Sequence, residues 1–260
     1  MKRTIMSIVA AATFASGGAA AETLVVGAYP ANPPWEYKNE QSQFEGFEVD
    51  LVTEIGDRLG VDLDFQDLGF QAIFSAISSG RIDMAISTIT ITDERLKNQS
   101  FTQGYYDSDL ALISLKDDGV TDLEGMRDQT VGVLSSSVAE KWVNENHDDV
   151  GFESVKGYTD QQNLLLDVRS GRVAGAIGDL AGYQFAFKQM PDLDIVQTIP
   201  TGDRFGIMLP KGSPHLERVN DAISQIKEDG TLAEIHTKWL GVAPASTTSS
   251  VQVMAIPEAK

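Results

Sequence analysis

Apolar residues along the chain follow two spacings: short unbroken runs, typical of buried strands, and a three-to-four-residue spacing, typical of helices. An apolar run at residues 24–27 precedes a helical pattern formed by Phe47, Leu51, Ile55 and Leu59. A second run at residues 130–134 precedes a helix carrying Val138 and Trp142. A strand followed by a helix, then by another strand, is typical of parallel sheets in α/β proteins.

One eight-residue pattern occurs twice. Residues 79–86 read SGRIDMAI and residues 170–177 read SGRVAGAI. Each copy follows a helical pattern, ends that helix with a glycine and continues as a short apolar strand. The same helix–turn–strand unit is therefore built twice, which predicts two α/β lobes with mostly parallel sheets flanked by helices. The alternative is one continuous sheet with a chance match.

The chain also returns to the first lobe after completing the second. Residues 205–209 predict a strand, and two helical patterns follow it up to Trp239. We predict a discontinuous lobe 1 (residues 22–109 and 202–241), a lobe 2 (110–201) and a loosely attached tail (242–260). The chain would cross between the lobes near Asp109 and Thr201, and two crossings form a hinge that allows closure on a ligand.

The first 21 residues have the layout of a secretory signal peptide. Lys2 and Arg3 precede an apolar stretch, and small residues ending at Ala21 predict cleavage after that position. The apolar stretch is shorter than the ~20 residues of a membrane-spanning helix. The sequence contains no cysteine for a disulfide or a lipid anchor. We therefore expect a protein that diffuses freely in the periplasm.

Composition and motifs disfavour several classes of function. The net charge is −18 and the basic residues form no cluster, which disfavours nucleic acid as a partner. The three histidines, His147, His215 and His236, lack the spacing of a zinc site. No phosphate-binding glycine loop and no nucleophile elbow occur. We expect a monomer that is not an enzyme, with no catalytic residues, no cofactor and no metal.

The ends of the two repeated strands carry the candidate binding residues, because ligands of parallel α/β sheets lie beyond the carboxyl ends of the strands. The first strand leads to Ser87, Thr88 and Thr90 and then to Arg95, whose hydroxyls, N–H groups and guanidinium suit a carboxylate. The second leads to Asp179, which suits an ammonium group. The alternatives are a helix cap for the hydroxyl run and surface ion pairs for Arg95 and Asp179.

Three further segments border the predicted cleft. Ser136 and Ser137 open the Val138–Trp142 helix, where they would either bind an anion through free N–H groups or simply cap the helix. Tyr29 and Asn32 belong to a proline-rich loop that follows the first strand, and the prolines suit a stiff pocket wall. Phe70 would either stack on the ligand side chain or pack in the core.

From Thr23 to Gly241 the chain resembles the periplasmic amino-acid-binding proteins of bacterial ABC importers. The resemblance is carried by Pro34-Trp35-Glu36, Gly46-Phe47-Glu48-Val49-Asp50-Leu51, Gly80-Arg81-Ile82-Asp83, the run from Ser87 to Arg95, Val131-Gly132-Val133-Leu134, Asp229-Gly230-Thr231 and Lys238-Trp239-Leu240-Gly241.

The resemblance implies capture of a free amino acid and delivery to a membrane permease. It implies that Arg95, with Thr88 and Thr90, holds the α-carboxylate and that Asp179 holds the α-ammonium. Phe70, Tyr29 and Asn32 would shape the side-chain pocket.

Two details bear on the ligand and on competing functions. Many members have a Gly-Thr pair where this chain has Ser136-Ser137, which leaves the lobe 2 contacts to the carboxylate open. Members that bind cationic amino acids often have an acidic residue at the position of Tyr29, so we expect a neutral polar ligand, with a basic one as the alternative. The competing functions are a periplasmic dehydratase on the same scaffold and a module that serves a sensory receptor.

Overall fold

The computed structural model describes residues 21–260. The predicted signal peptide lies almost wholly outside these residues, so it stays a prediction. The chain forms two α/β lobes, each with a five-stranded mixed sheet flanked by helices, and the predicted two-lobed fold is confirmed. Across residues 21–260, no helix has both the length and the apolar composition needed to cross a membrane.

Lobe 1 contains residues from both ends of the described chain. Its strands are β1 (Thr23–Ala28), β2 (Ala31–Asn32), β3 (Glu36–Lys38), β4 (Phe44–Glu45), β5 (Asp62–Asp67), β6 (Met84–Ile86), β7 (Gln99–Phe101) and, late in the chain, β13 (Met208–Pro210). Its helices are α1 (Phe47–Leu59), α2 (Phe70–Ser78), α3 (Asp93–Asn98), α8 (Leu216–Glu228) and α9 (Thr231–Leu240). The main sheet has the order β5-β1-β6-β13-β7, and β2, β3 and β4 form a small separate sheet.

Lobe 2 is formed by the middle of the chain. Its strands are β8 (Tyr106–Leu115), β9 (Thr130–Leu134), β10 (Ser154–Tyr158), β11 (Gly175–Asp179) and β12 (Leu193–Phe205), in the order β10-β9-β11-β8-β12. Its helices are α4 (Val138–Glu145), α5 (His147–Val150), α6 (Gln161–Arg169) and α7 (Leu180–Ala186). In both lobes the repeated unit is present: α2 leads to β6, and α6 leads to β11.

The helical patterns read from the sequence mark the buried faces of the helices. Phe47, Leu51 and Ile55 of α1 are fully buried in one core of lobe 1, and Ile73 and Ile77 of α2 are fully buried in the core on the other side of the sheet. Lobe 2 likewise has two clusters, one on each face of its sheet. Each lobe therefore has an apolar core on both faces of its sheet, and the lobes meet at the hinge and along the cleft.

The hinge is an antiparallel pair of strands that runs between the lobes. Tyr106 of β8 faces Phe205 of β12, and Ser108 faces Asp203. The pairing is interrupted between Ile199 and Asp203, where the Asp109 carboxylate instead accepts hydrogen bonds from the N–H groups of residues 201 and 202, at 2.9 and 3.1 Å. The two crossings therefore lie side by side, so bending at one strand requires bending at the other.

The tail departs from the expectation of loose attachment. Ser249 and Ser250 are almost fully buried against the start of β8. The Ser249 N–H donates to Asp107 at 2.8 Å, and the Ser250 hydroxyl donates to the Tyr105 carbonyl at 2.9 Å. Lys227 of α8 donates to the carbonyl of residue 252 at 2.9 Å. The tail is attached through backbone and hydroxyl groups. Such contacts do not require regularly spaced apolar residues, so the sequence shows no hydrophobic pattern there.

Candidate ligand-binding cleft

The candidate site is a cavity between the lobes, at the carboxyl ends of β6 and β11. Nine of the ten predicted binding residues line it: Tyr29, Asn32, Phe70, Ser87, Thr88, Thr90, Arg95, Ser137 and Asp179. The tenth, Ser136, lies in the adjoining groove at the outer rim of the cleft. The fold therefore brings together residues that are up to 150 positions apart in the sequence (179 − 29).

Arg95 reaches into the cavity from the first turn of α3, whose N-cap is Thr92. Its guanidinium donates to the Thr90 carbonyl at 2.8 Å and, across the cleft, to the Ser136 carbonyl at 3.1 Å. The guanidinium also lies over the Phe74 ring, 4.9 Å from its centroid. Burial lowers the pKa of Arg95 to about 10. The side chain is thus a cation at neutral pH, held in place by neutral acceptors.

Two buried glutamates of lobe 1 hold the start of the hydroxyl-bearing segment that precedes Arg95. The Ser87 hydroxyl donates to Glu36 at 2.8 Å, and the Thr88 N–H donates to Glu48 at 3.0 Å. Thr88 has a φ of 47°, in the left-handed region that non-glycine residues rarely adopt. Sequence reasoning expected free N–H groups along this edge, and at Thr88 that expectation is wrong because Glu48 occupies the donor.

Thr90 differs from its neighbours. The bridge to the hinge strand uses the Ile91 N–H with the Arg204 carbonyl, at 2.9 Å, and the Gly206 N–H with the Ile89 carbonyl, at 3.1 Å. The N–H of Thr90 takes no part in these bonds, because the donors on either side of the chain make them. Thr90 therefore lines the cavity with an N–H that these bonds leave free and with a hydroxyl.

Asp179 ends β11 and caps α7. Its carboxylate accepts the Gly182 N–H at 2.7 Å and the Ser108 hydroxyl. Burial raises the pKa of Asp179, and these donors oppose that shift. The Tyr183 hydroxyl, which also borders the cavity, has no protein partner within residues 21–260 and lies where a side chain at residue 178 would be, which is why that position is glycine. Arg95 and Asp179 thus face one cavity from opposite lobes.

The serine loop of lobe 2 caps its helix. The Ser137 hydroxyl accepts the Glu140 N–H at 3.1 Å and so caps α4, and the Glu140 carboxylate accepts the Ser136 N–H at 2.7 Å. The structure thus shows the capping alternative at Ser137, whereas the Ser136 N–H is occupied by the Glu140 carboxylate. Val138 and Ala139, in the first turn of α4, line the cavity, and the first N–H groups of a helix have no partner within the helix.

Contacts across the cleft show that the lobes are closed. The Tyr29 hydroxyl donates to Asp160 of lobe 2 at 2.8 Å. At the outer rim, Lys141 of lobe 2 lies 3.3 Å from Glu94 of lobe 1. Together with the hydrogen bond from Arg95 to Ser136, these contacts hold the two lobes against each other.

Two aromatic side chains, those of Tyr29 and Phe70, form part of the cavity wall. Tyr29 and Phe70 are each 7% exposed, and Phe70 also packs edge-on against Phe74 at 5.4 Å. Gln161, at the start of α6, adds an amide to this wall. The Phe70 ring therefore packs in lobe 1 and also lines the cavity, and its stacking on a ligand side chain stays a prediction.

Sequence reasoning missed five polar residues of the cavity wall: Ser108, Asp109, Gln161, Tyr183 and Asp203. Burial raises the pKa of Asp203, and the nearby charge of Arg95 opposes that shift. Asp109 and Asp203 lie on the hinge strands, outside the repeated unit that located the other residues. In the sequence, the one feature that could have identified these two residues was their position beside the predicted crossings between the lobes.

The chain belongs to the bacterial extracellular solute-binding proteins, family 3, whose model matches residues 24–242. It is 30% identical over 247 residues to the ABC transporter arginine-binding protein 1 of Escherichia coli (strain K12), covering 92% of this chain and 99% of that protein.

Two solved structures of an ancestral arginine-binding protein are similar to the chain. One is bound to arginine (34% identity, TM-score 0.79, covering 84% of this chain and 97% of that one). The other is bound to glutamine (33% identity, TM-score 0.79, covering 85% and 98%). The protein is an amino-acid-binding solute-binding protein of ABC transport, as the sequence resemblance predicted.

Proposed function

We propose that this protein is a periplasmic receptor that captures one free amino acid by hinge closure and delivers it, as a monomer, to the permease of an ABC importer. The observation that carries the proposal is the convergence of Arg95 and Asp179 on one closed cavity from opposite lobes. A guanidinium and a carboxylate at opposite ends of a cleft match the two charges of a zwitterion. Binding needs no further chemistry from the residues in the wall.

The proposed pose follows from the free groups in the wall. The ligand carboxylate pairs with Arg95 and takes hydrogen bonds from the N–H and hydroxyl of Thr90. The first turn of α4 approaches the same anion from lobe 2, where helix N–H groups favour negative charge. The ammonium lies against Asp179, whose Ser108 and Gly182 donors keep the carboxylate in place. The carboxylate is held by groups from both lobes and the ammonium by Asp179 of lobe 2, so the ligand stabilises the closed form.

We propose a neutral polar side chain, such as that of glutamine. Asp160, the acid nearest Tyr29, is already bonded to the Tyr29 hydroxyl at 2.8 Å and to the Asn163 N–H at 2.8 Å. Gln161 offers an amide that can both donate and accept. The similar ancestral protein bound to glutamine is consistent with this choice.

A basic amino acid is the alternative, and the charge of the wall favours it. Asp109, Asp179 and Asp203 line the cavity against the single cation Arg95. After the α-carboxylate and α-ammonium are paired, two acids remain, and a cationic side chain would offset their charge. The arginine-binding relative in Escherichia coli supports the same alternative.

A thermal-shift screen against the common amino acids separates these choices. A ligand that binds only the folded state raises the melting temperature. Glutamine, asparagine and serine should produce the largest shifts if the proposed side chain is correct, and arginine, lysine and histidine if the alternative is. Calorimetry on the best ligand then gives the affinity. No shift with any amino acid would contradict the proposed function.

A further inference from the structure

Two carboxyl groups lie side by side beneath the cleft, inside lobe 1. Glu36 of β3 and Glu48 of the first turn of α1 are both fully buried, with 0% exposure. They are within hydrogen-bonding reach of each other. Neither forms an ion pair within residues 21–260. The remaining contacts are neutral donors: Ser87 and Asn32 on Glu36, at 2.8 and 3.1 Å, and the Thr88 N–H at 3.0 Å and the Tyr105 hydroxyl on Glu48.

Two adjacent buried carboxylates cannot both carry a charge without a cation to offset them. Burial, followed by the charge of Glu48, raises the pKa of Glu36 well above its usual range. The other titratable groups near the pair are the phenols of Tyr105 and Tyr29, and neither can supply a positive charge. One proton therefore stays between the two side chains at neutral pH.

We propose that Glu36 and Glu48 share one proton and act as positioning residues that hold the Ser87–Thr88 backbone in its ligand-binding shape. The inference rests on the proposed function, because it concerns the floor of the same cleft. Glu48 holds the N–H of Thr88 in the left-handed conformation, and Glu36 holds the Ser87 hydroxyl. These hydrogen bonds orient residues 88–90 toward the ligand, and the two glutamates themselves do not contact it.

Infrared spectroscopy tests the shared proton directly. At pH 7 the wild-type protein should show the carbonyl stretch of a protonated carboxylic acid, and Glu36→Gln should lack that component, because an amide donor replaces the proton. The matched control is Glu40→Gln, an exposed glutamate at which no change is expected. A wild-type spectrum without the band, or a band that persists in Glu36→Gln, would overturn the shared proton.

Ligand affinity tests the positioning role. Glu36→Gln keeps a donor toward Glu48 and an acceptor for Ser87, so it should bind the amino acid within a few-fold of wild type. Glu36→Met has a similar length but no polar atoms, and should weaken binding by about tenfold or more. Equal affinity in the Gln and Met variants would refute the role. If Met fails to fold, a large loss of affinity in Gln would refute it. If the wild-type protein binds no amino acid, the proposed function fails, while the infrared result still decides whether Glu36 and Glu48 share a proton.

Discussion

Replacing Arg95 with alanine should weaken amino-acid binding more than any other single change in the cleft. The substitution leaves the ligand carboxylate without its cation in a closed cavity, which costs about 2–5 kcal/mol. That range corresponds to roughly thirty- to several-thousand-fold in Kd. The change also removes the bond from Arg95 to the Ser136 carbonyl, which crosses the cleft at 3.1 Å, so closure itself is weakened.

Isothermal titration calorimetry of wild type, Arg95→Ala and Arg95→Lys measures this loss. The lysine variant keeps the charge but loses the planar fork that pairs with a carboxylate and bonds two carbonyls, so its affinity should fall between the other two. Arg81→Ala is the matched control, because Arg81 is an exposed arginine of the same lobe, away from the cavity. An Arg95→Ala protein that binds within twofold of wild type would refute the assignment of Arg95 to the carboxylate.

Three further predictions concern Asp179 in lobe 2, the hydrogen bond of Tyr29 between the lobes, and Lys227 in lobe 1. Burial raises the pKa of Asp179 in the ligand-free protein, and an ammonium requires the ionised form, so affinity should fall as the pH drops through that raised pKa. Asp179→Asn should bind weakly without this pH dependence, and an identical calorimetric pH profile in the two proteins would contradict the role. Tyr29→Phe removes the bond to Asp160 and should weaken binding by about twofold to tenfold. An unchanged Kd there would show that the bond does not contribute to closure. Burial lowers the pKa of Lys227 from 10.5 to about 7, so between these values the unfolded chain binds more protons than the folded one, and stability should rise with pH. Denaturant unfolding of Lys227→Met should lack this rise, and parallel profiles would argue against it.

Periodicity predicted most of the fold because each lobe is built from units that repeat a simple pattern. The apolar positions of α1, α2 and α6 become their buried faces, and the repeated glycine turns end two equivalent helices at Gly80 and Gly171, both with positive φ. The same repeat located Arg95 and Asp179, since equivalent strand ends point into a common cleft.

Features that depend on contacts between distant, non-repeated segments could not be read in this way. Glu36 and Glu48 appear in the sequence as ordinary acidic residues, and only the fold shows that they are buried together beneath Thr88. The tail lacks a hydrophobic period, which predicts loose attachment, yet Ser249 forms two hydrogen bonds to Asp107. The hinge acids Asp109 and Asp203 likewise enter the cavity through strand pairing, which the sequence pattern does not specify.

A crystal structure of the protein with its bound amino acid is the most direct test of the central claim. The guanidinium of Arg95 should form a two-point contact with the α-carboxylate, and the carboxylate of Asp179 should lie within hydrogen-bond distance of the α-ammonium, with the lobes closed around both. A ligand bound in the cleft with either side chain turned away from it would contradict the account.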